Sequence, residues 1–385
     1  MTGDPPPALS GPAIDGAKEV RAGEELDPEK LFEALRTPLG EALGGEISTP
    51  PVVKQFPSGH SNLTYLLEVE AGGARIELVL RRPPFGNVVK SAHDMGREVR
   101  ILSALSKHGY DKAPKPLLYV EDASVIGAPF YIMNRLSGVV LRRKPPAGMD
   151  LSPEVVSRIS DAFIGGLVEL HGLPWDRMDL SEFGKPEGYV ERQVRGWAKR
   201  YEDAKTDDVK TMEDVSRWLL AHIPKGEDER GRATIVHNDF KYDNLVLDPA
   251  DPTRIIGVLD WEMATIGDPL TDLATTLAYW IEAGDPEPLK AFAFGPTHLP
   301  GSPKRSELLA RYQEQSGRDA SNIVFYYAFA LFKNAVVAQQ IYTRFKKGLT
   351  NDERFGMFIM GVRLLGDAAA HVLASGSIDA RSQAP

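Results

Sequence analysis

The chain contains no cysteine. That excludes disulfides, thiolate metal centres and cysteine nucleophiles, and it suits a reducing compartment. An excess of positive charge is also missing: 45 Lys and Arg stand against 54 Asp and Glu, a formal net charge of −9. Nucleic-acid binders are usually basic over a whole domain, so nucleic acid is not an expected partner. The opening residues, MTGDPPPALSGPAIDG, have neither a basic start nor an apolar centre, so a secretory signal is not expected. Nor is any stretch expected to supply the roughly 18 apolar residues of a membrane span. A cytoplasmic protein with no membrane partner is the reading these absences leave.

What is present is ordinary for a globular chain: 385 residues, 42% apolar and 26% charged. That length allows two or three domains, or two lobes. Residues 1–26 are rich in Pro, Gly and Ala and read as a flexible tail. Asp27 then suits a helix cap, with Pro28 in the first turn. β-rich runs follow at 52–56, 63–69 and 75–81, split by the turn-like "PSGHSN" and "EAGGA". In "SAHDMGREVRILSALSKHG", Ser91 suits a cap, Val99, Leu102 and Leu105 form a stripe, and Gly109 is a stop. Strands at 116–120 and 129–136 complete a run of three strands, one helix and two strands. Beyond a connector near 134–138, helical patterns dominate, at 153–171, 187–203, 211–223 and from about 303 to 373. The expectation is an α+β chain. A small lobe at 27–136 carries a five-stranded antiparallel sheet, a larger, mainly helical lobe covers 137–375, and 376–385 forms a second tail.

The stretch "IVHNDFKYDNLVLD" places His237, Asp239 and Asn244 at fixed offsets between two apolar runs. It could be an ordinary strand–turn–strand corner. It also has the spacing of a kinase catalytic loop, with Asp as base and Asn as metal ligand. Phosphoryl transfer asks little else of a protein: oxygen ligands for magnesium and cations on the phosphates. Downstream, "IIGVLDWE" delivers Asp260 at the end of a buried strand, with Glu262 two residues on and able to face the same way.

With both motifs in hand, the chain after its first tail resembles the aminoglycoside phosphotransferase / choline kinase group of the protein-kinase-like fold. "LDWEMATIGDPLTDLA" is similar to the branch that includes kinase-like domains fused to acyl-CoA dehydrogenases. The resemblance implies a two-lobed enzyme that uses ATP and Mg2+ to phosphorylate a small-molecule hydroxyl. It implies Asp239 as catalytic base, Asn244 and Asp260 as metal ligands, and His237 as the residue that holds the loop. Asp268 and Asp272 would cap the next helix and brace the site. The group usually has Gly where this chain has Asn238, a residue that tolerates left-handed backbone. Lys241 either reaches the transferred phosphate or is a solvated surface lysine.

The same resemblance assigns the nucleotide to the small lobe. Ser58, Gly59, His60, Ser61 and Asn62 fall where a phosphate-covering loop belongs. Arg81 takes the place of the usual strand lysine, with Glu98 as its partner, and arginine is not a simple substitute there. Asn134 and Leu136 would read adenine through backbone groups, with Met133 behind. Residues 321–350 contain no Asp or Glu but carry Lys333, Arg344, Lys346 and Lys347. That balance disfavours a polycationic acceptor and suits an anionic or apolar-tailed one, such as a hydroxyacyl-CoA. An aminoglycoside-type kinase and a catalytically impaired nucleotide- or partner-binding module are the alternatives.

Overall fold

Asp27 starts the first helix: its carboxylate accepts the N–H groups of Glu29 and Lys30, and Pro28 opens α1 (Pro28–Leu43). The computed structural model describes residues 16–57, 62–85, 94–224, 229–290, 293–350 and 352–380. After α1 come β1 (Val52–Gln55), β2 (Leu63–Ala71), β3 (Ala74–Arg82), α2 (Met95–Lys107), β4 (Pro116–Val120) and β5 (Phe130–Asn134). Then follow α3 (Pro153–His171), α4 (Tyr189–Ala204), α5 (Lys210–Ala221) and the short α6 (Glu229–Arg232). Four short strands come next: β6 (Thr234–Val236), β7 (Leu245–Leu247), β8 (Ile255–Val258) and β9 (Thr265–Gly267). The chain ends with α7 (Pro269–Tyr279), the short α8 (Glu287–Lys290), α9 (Arg305–Ser316), α10 (Ile323–Lys346) and α11 (Phe358–Ser375).

The chain divides into two units. The first comprises residues up to Leu141 together with Pro145–Met149 and Asp243–Ala264. Its five-stranded sheet has the order β1-β2-β3-β5-β4 with every pair antiparallel, as expected from sequence. Leu31, Leu35 and Leu39 of α1 belong to one core with Leu67, Leu78, Leu80, Phe130 and Ile132 of the sheet. Strand alternation puts Leu78 and Leu80 in that core and turns Arg81 to the face where α2 supplies Glu98. α2 is capped by Asp94, which accepts the Arg97 N–H. The cap is therefore not Ser91, which lies outside the described residues; a carboxylate just before the helix serves as well as a hydroxyl.

Two expected boundaries shift. Residues 16–26 do not form a free tail: Lys18 exchanges backbone hydrogen bonds with Gln55, the Tyr65 hydroxyl donates to the Glu24 carbonyl, and Leu26 is buried. The Asp243–Ala264 segment, expected within the larger lobe, packs with the first unit. Backbone pairing explains this: Leu247 and Val139 exchange hydrogen bonds, and the Val258 N–H donates to Lys112 O. Gly138 permits the approach, since a Cβ there would lie 2.4 Å from the Leu247 carbonyl oxygen.

The second unit contains α3–α11 with the β6–β9 pair. α10 is its central helix, packing on α4, α5, α7 and α11. Arg305 is buried among Asp285, Glu282 and the Trp280 carbonyl, and also donates to the Ile378 carbonyl. Ile378 is itself buried and the Ala380 N–H donates to Glu282, so residues 377–380 are packed chain, not the expected tail. The sequence expectation on apolar runs is also corrected. Among the described residues one helical stretch, Glu353–Ser375, is long and apolar enough to cross a membrane by length and composition.

Candidate active site

In the second unit, β6 and β9 are three-residue antiparallel strands, and the chain leaves β6 directly into His237. The sequence "GDPLTD" then builds the loop's support. Asp268 caps α7 by accepting the Leu270 and Thr271 N–H groups. One turn on, the fully buried Asp272 accepts the His237 N–H at 2.6 Å and the Asn238 N–H at 2.7 Å. His171 Nε2 lies 3.2 Å from the same carboxylate, while its Nδ1 is 2.7 Å from the Tyr312 hydroxyl. Burial works against the Asp272 charge, but the hydrogen bond and charge of His171 and the His237 N–H hold its pKa below the ordinary value.

With two consecutive amides pinned, the backbone turns at Asn238, which adopts φ 64°. Its amide oxygen accepts the Tyr189 hydroxyl proton at 3.5 Å. The His237 ring is buried and accepts the Asp239 N–H at Nδ1, 3.3 Å away. Asp239 keeps a partly open carboxylate, 18% exposed, with Lys241 Nζ 3.0 Å from its Oδ1. Lys241 is not a solvated lysine: its ammonium lies over the rings of Phe294, at 4.5 Å, and Tyr279, at 5.1 Å.

In the first unit, β7 and β8 form a hairpin in which Leu245 pairs with Val258 and the Leu259 N–H donates to the Asn244 carbonyl at 2.8 Å. Asn244 and Asp260 therefore stand on adjoining strand ends. Asp260 is left-handed, φ 66° and ψ 65°, and turns the strand into the 3-10 segment Trp261–Met263. Arg81 then draws both acids together, its Nη2 lying 2.5 Å from Asp260 Oδ1 and 2.9 Å from Glu262 Oε2. Its Nε sits 3.3 Å from Glu98 Oε2, an ion pair without hydrogen-bond geometry. Burial opposes the Arg81 charge, yet Glu98, Asp260 and Glu262 hold its pKa well above the ordinary value. Burial pushes the Glu98 carboxyl up to about 7, against the pull of Arg81. Asn62 donates to Glu262 at 2.7 Å.

The hairpin's donors suit magnesium: Asn244, Asp260 and Glu262 offer hard oxygens from one amide and two carboxylates. Among the described residues there is no cluster of three or more His, Asp or Glu that would cage a metal. That is compatible with an ion held mainly through phosphate oxygens and water.

The other expected residues lie as follows. Met133 is buried on β5 opposite Val79, and Asn134 pairs with Leu78. The Asn134 N–H is committed to the Lys115 carbonyl at 3.0 Å. Leu136 packs against Gly257 of β8, where a Cβ would come within 2.8 Å of it. Ser58, Gly59, His60 and Ser61 lie outside the described residues. His171 is a component that sequence reading missed: a histidine at a helix end carries no motif, and its partnership with Asp272 is formed only by folding. Glu262 is expected from sequence to face with Asp260 by continued extended geometry; the chain instead turns into a 3-10 segment, and it is Arg81 that brings the two acids together.

A five-stranded antiparallel sheet with two helices, followed by a mainly helical unit, is a protein-kinase-like architecture. Within it, the sequence pattern of the phosphotransferase enzyme family matches residues 52–308, and the chain belongs to that family. It is similar to mouse acyl-CoA dehydrogenase family member 10, 35% identical over 314 residues, covering 81% of this chain and 28% of that protein. The human acyl-CoA dehydrogenase family member 11 is 32% identical over 351 residues, covering 91% of this chain and 43% of that protein. The chain thus spans less than half the length of these relatives. Among solved structures, a candidate aminoglycoside phosphotransferase from Ralstonia eutropha superposes with TM-score 0.74 at 29% identity, covering 91% of this chain and 99% of that one. Choline kinase from Cryptosporidium parvum shares the fold, with TM-score 0.52 at 15% identity, covering 84% of this chain and 92% of that one.

Proposed function

We propose that this phosphotransferase moves the γ-phosphoryl group of ATP, with Mg2+, to a hydroxyl of a small molecule, and that the acceptor is of the hydroxyacyl-CoA kind. Asp239 accepts the hydroxyl proton as the acceptor oxygen attacks phosphorus. His237 holds the loop, and Lys241 keeps a cation beside Asp239 and the transferred group. Asn244 and Asp260 hold Mg2+, which when bound neutralises phosphate charge. Arg81, kept in place by Glu98, binds phosphate oxygens. Any adenine contact at Asn134 falls to its carbonyl, because its N–H is already used.

The observation that carries the reading is the pinning of the His237–Asn238 backbone by the buried Asp272, which sets Asp239 on a rigid turn. The absence of acidic residues from 321–350 supports an acceptor that is not polycationic. A specific observation also favours the impaired module: Arg81 directly engages Asp260, one of the metal ligands proposed here. An ADP-release screen with Mg·ATP over hydroxyacyl-CoAs, aminoglycosides, choline-like alcohols and sugars separates these readings. ADP release with hydroxyacyl-CoAs supports the proposal. Release with aminoglycosides alone replaces the acceptor, and nucleotide binding with no release for any acceptor supports the module.

A further inference from the structure

Lys333 lies in the middle of α10, 8% exposed; among the described residues of this unit, the other strongly buried lysine or arginine is Arg305, which is matched by Glu282 and Asp285. Lys333 has no such match. Among the described residues it makes no hydrogen bond and has no carboxylate within ion-pair distance; Asp272 and Asp239 act on it only through their fields. Burial pushes its pKa below the ordinary lysine value, and those two acids offset this only in part. An ammonium has three donors, which an acceptor reaching it would satisfy.

The Lys333 ammonium sits 5.9 Å from the Trp197 ring centroid, and the Arg200 guanidinium lies 4.5 Å from the same ring. Trp197 is buried and Arg200 is exposed, so a buried and an exposed cation meet at one indole. Their like charges repel, which an anion within reach of both would relieve. Next along the two helices, Phe332 and Tyr201 are in edge contact at 5.8 Å.

We propose that Lys333, Arg200 and Trp197 form an oxyanion subsite for the acceptor, so that the molecule phosphorylated at its hydroxyl also carries a carboxylate or a phosphate. This rests on the phosphotransfer reading above and narrows its acceptor. The field of Asp239 at Lys333 places the subsite within electrostatic reach of the base that receives the hydroxyl proton. A polycation would meet like charge there.

The test measures ADP release by the native chain, Lys333→Met and Arg200→Gln. Four acceptor types with matched chain lengths are compared: a free hydroxy acid, its CoA thioester, a hydroxyalkyl phosphate and the neutral hydroxy amide. The native chain should prefer at least one anionic acceptor over the amide by about tenfold or more in kcat/KM, and the best of the four identifies the anion's source. Both variants should lose that preference through a raised KM. Methionine matches the lysine stem and is tolerated in cores, and Arg200 is exposed, so at least one variant should fold. Equal use of the amide, or a preference that survives in both variants, overturns the subsite. If no acceptor releases ADP although Mg·ATP still raises the melting temperature, the phosphotransfer reading fails. Calorimetric titration with 3-hydroxybutyrate and with coenzyme A then decides the subsite alone: binding lost in both variants supports it, and binding that is absent or unchanged overturns it.

Discussion

Arg81 Nη2 stands 2.5 Å from Asp260 Oδ1, so the cation proposed for the nucleotide is already bonded to an acid proposed as a metal ligand. A strand arginine can do this because its planar fork reaches Glu98 with Nε and two further carboxylates with Nη2. Arg81→Met would leave the buried Glu98 and the Asp260–Glu262 pair without their shared cation. We expect Mg·ATP affinity to fall by about tenfold or more and the melting temperature to drop. Isothermal titration beside a thermal melt checks this; native-like affinity in the variant would remove Arg81 from the nucleotide site.

Asp272 is the second point of leverage. Asp272→Ala deletes the acceptor for the His237 and Asn238 amides and for His171, all buried. Stability should fall by about 3 kcal/mol, read from urea unfolding. Asp272→Asn, which keeps the size but can orient only one oxygen, should lose less. A variant with alanine here and native stability would show that the loop is held by something else.

Asn238 holds a left-handed turn, φ 64°, a conformation that glycine adopts without steric cost. Asn238→Gly should therefore fold and keep turnover within a few-fold. Asn238→Val should destabilise by roughly 1–2 kcal/mol, since a β-branched side chain clashes at positive φ. Thermal melts of the two variants side by side decide it, and indifference to valine would contradict the strained turn.

Glu98 provides a pH signature. Its folded-state value of about 7 lies above the ordinary 4.5, so the folded chain binds the extra proton between those values. Its contribution to stability is complete below pH 4.5 and is lost as pH rises through about 7. Glu98→Gln lacks this titration. Relative to that variant, the native chain should lose on the order of 2–3 kcal/mol between about pH 4.5 and 8. Parallel stability curves across that range would argue that burial does not raise Glu98.

Much of this was legible in the sequence, and the reason differs by feature. The five strands and α1–α5 are marked by alternation, stripes and a cap such as Asp27, all local signals. His237, Asp239, Asn244 and Asp260 stand out in the sequence as candidates because the chemistry proposed for them fixes short spacings. The Asp243–Ala264 hairpin was assigned to the wrong unit because its allegiance is set by pairing with Val139 and Lys112, more than 100 residues earlier. His171 and Lys333 carry no local pattern at all: one is defined by meeting Asp272, the other by meeting an indole and, among the described residues, no acid within ion-pair distance.

The central claim is tested most directly by phosphorus NMR of the product formed from Mg·ATP and a hydroxyacyl-CoA by the native chain and by Asp239→Asn. The account predicts a new phosphomonoester signal with the native chain. It also predicts that the signal's rate of appearance falls by about a hundredfold or more in the variant, while both bind Mg·ATP. An equal rate from the two proteins, or ATP consumed with only inorganic phosphate released, would contradict it.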